Sequence, residues 1–167
     1  MKKRKSFWQT LGLALILAVV FFVGSCANSD VSDDGEIDVN TVPVATIVDK
    51  INETYPLAGA DVLTEDLYKP VYQLTADMVE EAKIIVPLMN VKSNELAGML
   101  AKPGQVNAVK EALEARQQTV CQTFQQYLPD QYEIAQKGEI LVRGNYVFLL
   151  MLEDNQGAIE IIDSYLK

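Results

Sequence analysis

The sequence predicts an α+β domain: an antiparallel sheet of about four strands packed against one long amphipathic helix, with short N- and C-terminal helices. Three observations lead there. Across residues 105–128, Val106, Val109, Leu113, Val120, Phe124 and Tyr127 recur at steps of three and four, with Arg116 or Gln117 filling the gap. That spacing draws one apolar stripe on a helix. Residues 139–142 and 146–152 are apolar runs joined through Arg143, Gly144 and Asn145, and Gly-Asn between two such runs signals a β-hairpin. Residues 82–89 and 95–102 flank the turn-forming stretch 90–94 and supply a second pair of strands. A lone hairpin is marginal in water, so both pairs need the long helix as a packing surface.

The elements follow in order. Pro43 suits the first turn of a helix capped near Thr41 or Val42, and Val44, Ile47, Val48, Ile51 and Tyr55 continue it at helical spacing until Pro56. Residues 57–78 carry no sustained period, since Gly59 and Pro70 interrupt them; a short helix or turn fits within 61–72. In 82–89, β-branched residues favour a strand, and Pro87 places it at an edge or a bulge. Residues 95–102 read as the returning strand and equally as a helix. Pro103 and Gly104 break the chain before the long helix, which stops ahead of Pro129. Residues 130–136 read as a short helix or a lead-in strand. The run 146–152 is almost wholly apolar, which predicts a central strand covered on at least one face. A turn at 154–157 precedes a closing helix over 158–166, with Ile159, Ile162 and Leu166 or Tyr165 inward.

Ahead of this domain (residues 42–167) lie two segments of different character. Residues 1–25 have a signal peptide's pattern: Lys2, Lys3, Arg4 and Lys5, then the apolar run 11–23, then small Gly24 and Ser25. Val23-Gly24-Ser25-Cys26 resembles the lipobox of bacterial lipoproteins, with Val23 and Ser25 as departures from the commonest residues. The resemblance implies cleavage between Ser25 and Cys26 and a diacylglycerol thioether on Cys26. It also implies a protein exported to the outer face of the bacterial cytoplasmic membrane and held there by lipid. Residues 26–41 then form the lipidated cysteine and a flexible acidic tether, too polar to offset the entropy of ordering. Within it, Asp30, Ser32, Asp34, Glu36 and Asp38 take alternate places of a calcium-loop pattern, with Gly35 at the turn. Thr41 stands where such a loop needs a bidentate acid, so the solvated tether is the preferred reading and no metal or other cofactor is expected.

Charge narrows the partners. Removing four of the 14 basic residues and none of the 23 acidic ones leaves 10 against 23, a formal charge of −13. Such a chain is repelled by phosphate backbones and anionic headgroups, so nucleic acid is not an expected partner and the membrane is met through the lipid alone. With no histidine, the usual triads and near-neutral acid–base groups are absent. Cys121 lies late in the long helix beside the apolar stripe and reads as a structural thiol. The adjacent pairs Glu80-Glu81 and Glu153-Asp154 read as solvated acids, because neighbours on a strand face opposite sides. Ser93 with Lys92 or Lys102 imitates a Ser-Lys dyad, but such residues are common in turns. Tyr127, Tyr132 and Tyr146 read as core aromatics rather than a ligand groove.

The chain also resembles a family of small Gram-positive bacterial lipoproteins known only as a domain of unknown function. The likeness rests on the lipobox at Cys26, the acidic tether, Met89-Asn90 ahead of Asn94-Glu95-Leu96-Ala97, the helix end Phe124 to Pro129, and the Gly144-Asn145-Tyr146-Val147 hairpin. It implies export and lipidation and brings no catalytic residues. The expected function is a lipid-anchored, non-catalytic surface module that binds an envelope protein or a small ligand, with an apolar patch or pocket on the sheet face opposite the long helix. Two alternatives stay open: a cell-envelope hydrolase using paired carboxylates, and an assembly subunit that self-associates through a sheet edge.

Overall fold

The computed structural model describes residues 42–166. Ser25, Cys26 and the calcium-loop candidates Asp30, Ser32, Asp34, Glu36 and Asp38 lie outside them. The elements are α1 (Val44–Thr54), β1 (Ala60–Val62), α2 (Glu65–Tyr72), β2 (Val79–Pro87), β3 (Glu95–Ala101), α3 (Val106–Phe124), α4 (Pro129–Gln136), β4 (Glu139–Arg143), β5 (Tyr146–Met151) and α5 (Asn155–Tyr165). The architecture is α+β, with one antiparallel sheet of five strands in the order β1-β2-β3-β5-β4.

The fifth strand corrects the expected four. β1 lies in the stretch that showed no period, and its three residues pair with Ile85, Val86 and Pro87 of β2. Pro87 costs no hydrogen bond there. Leu63 N–H donates to Ile84 O and Leu88 N–H to Gly59 O, so even residues of β2 aim their peptide groups at β1. Odd residues aim at β3, where pairing has already ended at Ile85↔Leu96. The bulge falls at the other end of β2, between Val79 and Glu81.

The single packing helix is corrected as well. Along β3 and β5 alternate side chains enter two separate cores. Ala97, Met99, Ala101, Val147, Leu149 and Met151 meet α2, α3 and α4. Leu96, Leu100, Tyr146, Phe148 and Leu150 meet α1 and α5. Every residue of both strands is buried, so helices cover both faces. The face opposite α3 therefore offers no free apolar patch. Gly98 explains how closely α1 comes: a Cβ there would lie 2.6 Å from Val48 Cγ2 and 2.9 Å from Val44 Cγ1.

Local chemistry sets the boundaries. Pro129 opens α4, where a missing N–H is harmless. Asp154 caps α5, accepting from Gly157 N–H at 2.9 Å, so the expected turn is the start of that helix. α2 ends at Gln73 in the left-handed region, φ 56°. Gly144, φ 55°, takes the first central position of the β4–β5 hairpin, as a type II′ turn requires. α3 ends at Phe124, shorter than expected, and Tyr127 stands 66% exposed beyond it rather than in the stripe.

Candidate functional site

Antiparallel strands and the returning helices bring five connections to one end of the sheet: residues 55–59, 88–94, 125–128, 137–138 and 152–154. The β2–β3 loop is pinned on both sides. Leu88 N–H donates to Gly59 O at 2.9 Å, and Met89 packs over Gly59. Ser93 N–H donates to Gln131 Oε1 at 2.9 Å, and Ser93 Oγ donates to Gln131 O at 2.6 Å. The residues held between these anchors are apolar and face water: Leu88 is 71% exposed, Met89 50% and Val91 39%. Three neighbouring exposed large apolar side chains on a tied-down loop form a patch with no cover among the described residues.

Beside this loop opens a cavity of about 350 Å³, walled by Tyr55, Pro56, Leu57, Pro87 and Leu152, with Lys92 and Glu153 among its polar residues. Burial, then the neighbouring Asp154 carboxylate, raises the Tyr55 phenol above its ordinary pKa. Across the 152–154 connection lies a second concavity of about 630 Å³, lined by Asp130, Glu133, Lys137, Glu139 and Gln156. Its cation is engaged, since Lys137 Nζ sits 2.6 Å from Glu133 Oε1, which lowers the Glu133 pKa.

A second constellation escaped the sequence reading. Glu95, 1% exposed at the start of β3, points toward α2 and α3. Arg116 of α3 brackets its carboxylate, with Nε at 3.1 Å from Oε1 and Nη2 at 2.7 Å from Oε2. Tyr72 of α2 donates its hydroxyl to Oε1, and the Arg116 guanidinium lies 5.7 Å from the Tyr72 ring centre. Burial first, then the Glu95 charge, pushes the Tyr72 pKa well above its usual value. Among the described residues Glu95 is the sole buried carboxylate, and its oxygens are spent on these two partners. The available signals were a charge inside an apolar stripe and an acid heading an apolar strand.

The individually predicted residues scatter. Glu80 is exposed at the bulge, whereas Glu81 is not merely solvated: it accepts from Ala45 N–H at 3.1 Å and caps α1 from the neighbouring strand. Glu153 and Asp154 do reach one site, because both line the two concavities. Ser93 spends its hydroxyl on Gln131, and Lys102 donates to Ala76 O at 2.9 Å, so no Ser-Lys dyad forms. Cys121 has its pKa raised by burial, the opposite of a reactive thiolate. Tyr146 is in the core and donates to Val42 O at 2.8 Å; Tyr132 packs at the margin of the opposite core. Among the described residues no cluster of acids or cysteine is arranged to hold a metal ion.

Comparison with known proteins places the chain without assigning it an activity. No curated protein and no solved structure matches it. A family model described as a domain of unknown function, DUF4358, matches residues 56–152, which is 97 of the 167 residues. The matched segment contains all five strands, α2 to α4, the exposed β2–β3 loop and the Tyr72–Glu95–Arg116 cluster, while α1 and α5 fall outside it. The chain belongs to the DUF4358 family.

Proposed function

We propose that this protein is a lipid-anchored, non-catalytic accessory module of the bacterial cell surface, one that docks a protein partner or ligand on its loop end. The observation that carries this reading is the apolar loop Leu88, Met89 and Val91, exposed beside the 350 Å³ cavity. Binding free energy concentrates where apolar side chains are desolvated in and beside a concave site. Val42 O accepts from the Tyr146 hydroxyl at the end of the sheet opposite this loop. The lipobox-like Val23 to Cys26 supports the anchor, and the Gram-positive lipoprotein resemblance supports the location on the outer face of the cytoplasmic membrane. The carboxylate-hydrolase reading has less support. Glu95 is committed to Arg116 and Tyr72, and Asp77, Glu133 and Asp163 all shift downward, away from a general acid.

A photocrosslinker at Met89, in the full chain in intact cells, should form one discrete adduct that is lost with Leu88→Asp. The same group at Lys50, on the outer side of α1, should form none. Equal labelling from both positions would sink the docking surface. For the anchor, the mature N-terminal peptide should carry a diacylglycerol-modified Cys26, and Cys26→Ala should release the protein from membranes. A Cys26→Ala protein that stays cleaved and membrane-bound would refute it.

A further inference from the structure

The two edges of the sheet are finished differently. On β1 the outward-pointing N–H groups belong to Ala60 and Val62, and both are satisfied within the chain. Ala60 N–H donates to Leu57 O at 3.3 Å, and Val62 N–H donates to Asp61 Oδ1 at 2.7 Å. A three-residue strand with its donors consumed is a blunted edge.

β4 is not blunted. Ala101 N–H donates to Asn145 O, so odd residues of β5 aim their peptide groups at β3 and even ones at β4. The register then turns Glu139, Leu141 and Arg143 toward β5, and Ile140 and Val142 outward. Among the described residues, neither Ile140 N–H, Ile140 O nor Val142 N–H has a partner. Val142 O accepts only from the adjacent Arg143 side chain, at 3.0 Å. The strand has no proline, lysine or bulge, and Ile140, Leu141 and Val142 are half-buried rather than covered.

The sequence of this edge is complementary to itself. Laid antiparallel about Leu141, Glu139-Ile140-Leu141-Val142-Arg143 sets Glu139 against Arg143, Ile140 against Val142, and Leu141 against Leu141 of the second copy. The outward peptide groups of Ile140 and Val142 then face each other in two reciprocal pairs. Glu139, Leu141 and Arg143 share the α5 face, where Arg143 already holds Asp163 at 2.6 Å. Glu139 is exposed and in no ion pair among the described residues. Across the two-fold axis it meets an Arg143–Asp163 pair, twice per dimer.

We propose that the occupant of this edge is a second copy of the same chain, paired through β4 about Leu141 into one continuous ten-strand sheet. The axis is normal to the sheet, so the two loop ends point in opposite directions. This inference is independent of what the loop end binds.

The test uses the full chain in membranes, with Cys121→Ser to remove the background thiol. Leu141 opposite itself is a non-hydrogen-bonded pair, whose Cα atoms stand about 4.5 Å apart, within the roughly 4.4–6.8 Å a disulfide spans. Leu141→Cys should therefore oxidise to a homodimer. Glu139→Cys should not, because the two copies of residue 139 are roughly 14 Å apart in this register. Leu141 is half-buried, so a second variant keeps its side chain. Glu139→Arg, at an exposed position, should weaken dimerisation of the detergent-solubilised chain by about tenfold, measured by sedimentation. A monomer at all concentrations, equal crosslinking from residue 139, disulfides to another protein, or a dimer indifferent to Glu139→Arg would each overturn the proposal.

Discussion

On one side of β3, Leu96, Gly98 and Leu100 meet α1 with apolar atoms and a bare backbone. On the other, Glu95 heads a row with Ala97, Met99 and Ala101 under α2 and α3. One strand thus packs its two helical layers by different means. The α1 side gains from proximity, since nothing at Gly98 holds the helix away. The α3 side interposes a carboxylate, a guanidinium and a phenol that together join three elements at one point. Close apolar contact is tolerant of chemistry and intolerant of volume. A buried ion pair is the reverse: it accepts replacement of the whole cluster by apolar groups, and resists loss of one member.

The largest expected effect breaks the α3 side. Arg116→Met removes the cation and leaves Glu95 buried with Tyr72 as its partner, which should cost about 3–5 kcal/mol in denaturant unfolding. Adding Glu95→Met and Tyr72→Phe should restore most of that loss, because neither a buried charge nor an orphaned hydroxyl remains. A single variant that lost less than about 1 kcal/mol would show that water reaches Glu95 through the partly exposed Arg116 and that the two sides are less different than their geometry.

This contrast shows what the sequence made legible. The hairpin around Gly144-Asn145 and the stripe of α3 are local patterns; the hairpin is in the fold as expected, and the stripe holds from Val109 to Phe124 but not to Tyr127. Residues 95–102 read equally as strand or helix; pairing with β2 and β5 decides for the strand. β1 could not be seen, because three residues hold no period and Ala60-Asp61-Val62 becomes a strand only by pairing with β2. The second helical layer was half legible. α1 and α5 were expected as helices, but their place on the sheet is a tertiary fact, hinted at by the unbroken apolar run of β5. The ionic cluster joins residues 21 and 23 positions apart, so only Arg116 inside the stripe and Glu95 heading an apolar strand betrayed it. The loop-end patch was missed because an apolar turn residue resembles the end of a strand.

The next effect tests the α1 side. Gly98→Ala places a methyl group against Val48 and Val44, whose β-branched side chains have no free rotamer to yield. Loss of stability of about 1–3 kcal/mol should follow from overpacking, reduced slightly by the stiffer unfolded chain. Val48→Ala in the same protein should rescue part of it, appearing as favourable coupling in a double-mutant cycle. Additive losses would mean that α1 shifts as a body, and that contact at Gly98 does not fix its height.

The smallest effect separates charge from packing on the α3 side. Tyr72→Phe keeps the ring under Arg116 and removes the hydroxyl that Glu95 accepts from, so the expected cost near pH 7 is about 1 kcal/mol. Its pH dependence is the sharper measurement. In the unfolded chain this phenol ionises near its ordinary value of 10.0, whereas burial and the Glu95 charge hold it protonated in the fold. Below pH 10 both states keep the proton, and the contribution of Tyr72 is fully present. Above it the unfolded chain releases a proton that the native chain retains, so stability falls as pH rises toward the folded pKa. Phenylalanine has no such proton. Tyr55, Tyr68 and Tyr146, also shifted upward, titrate in both proteins and cancel in the difference. The deficit of Tyr72→Phe should therefore shrink steadily above about pH 10. A deficit that stayed constant would mean that the phenol ionises as readily in the fold as out of it, and that the ionic side of β3 is open to water.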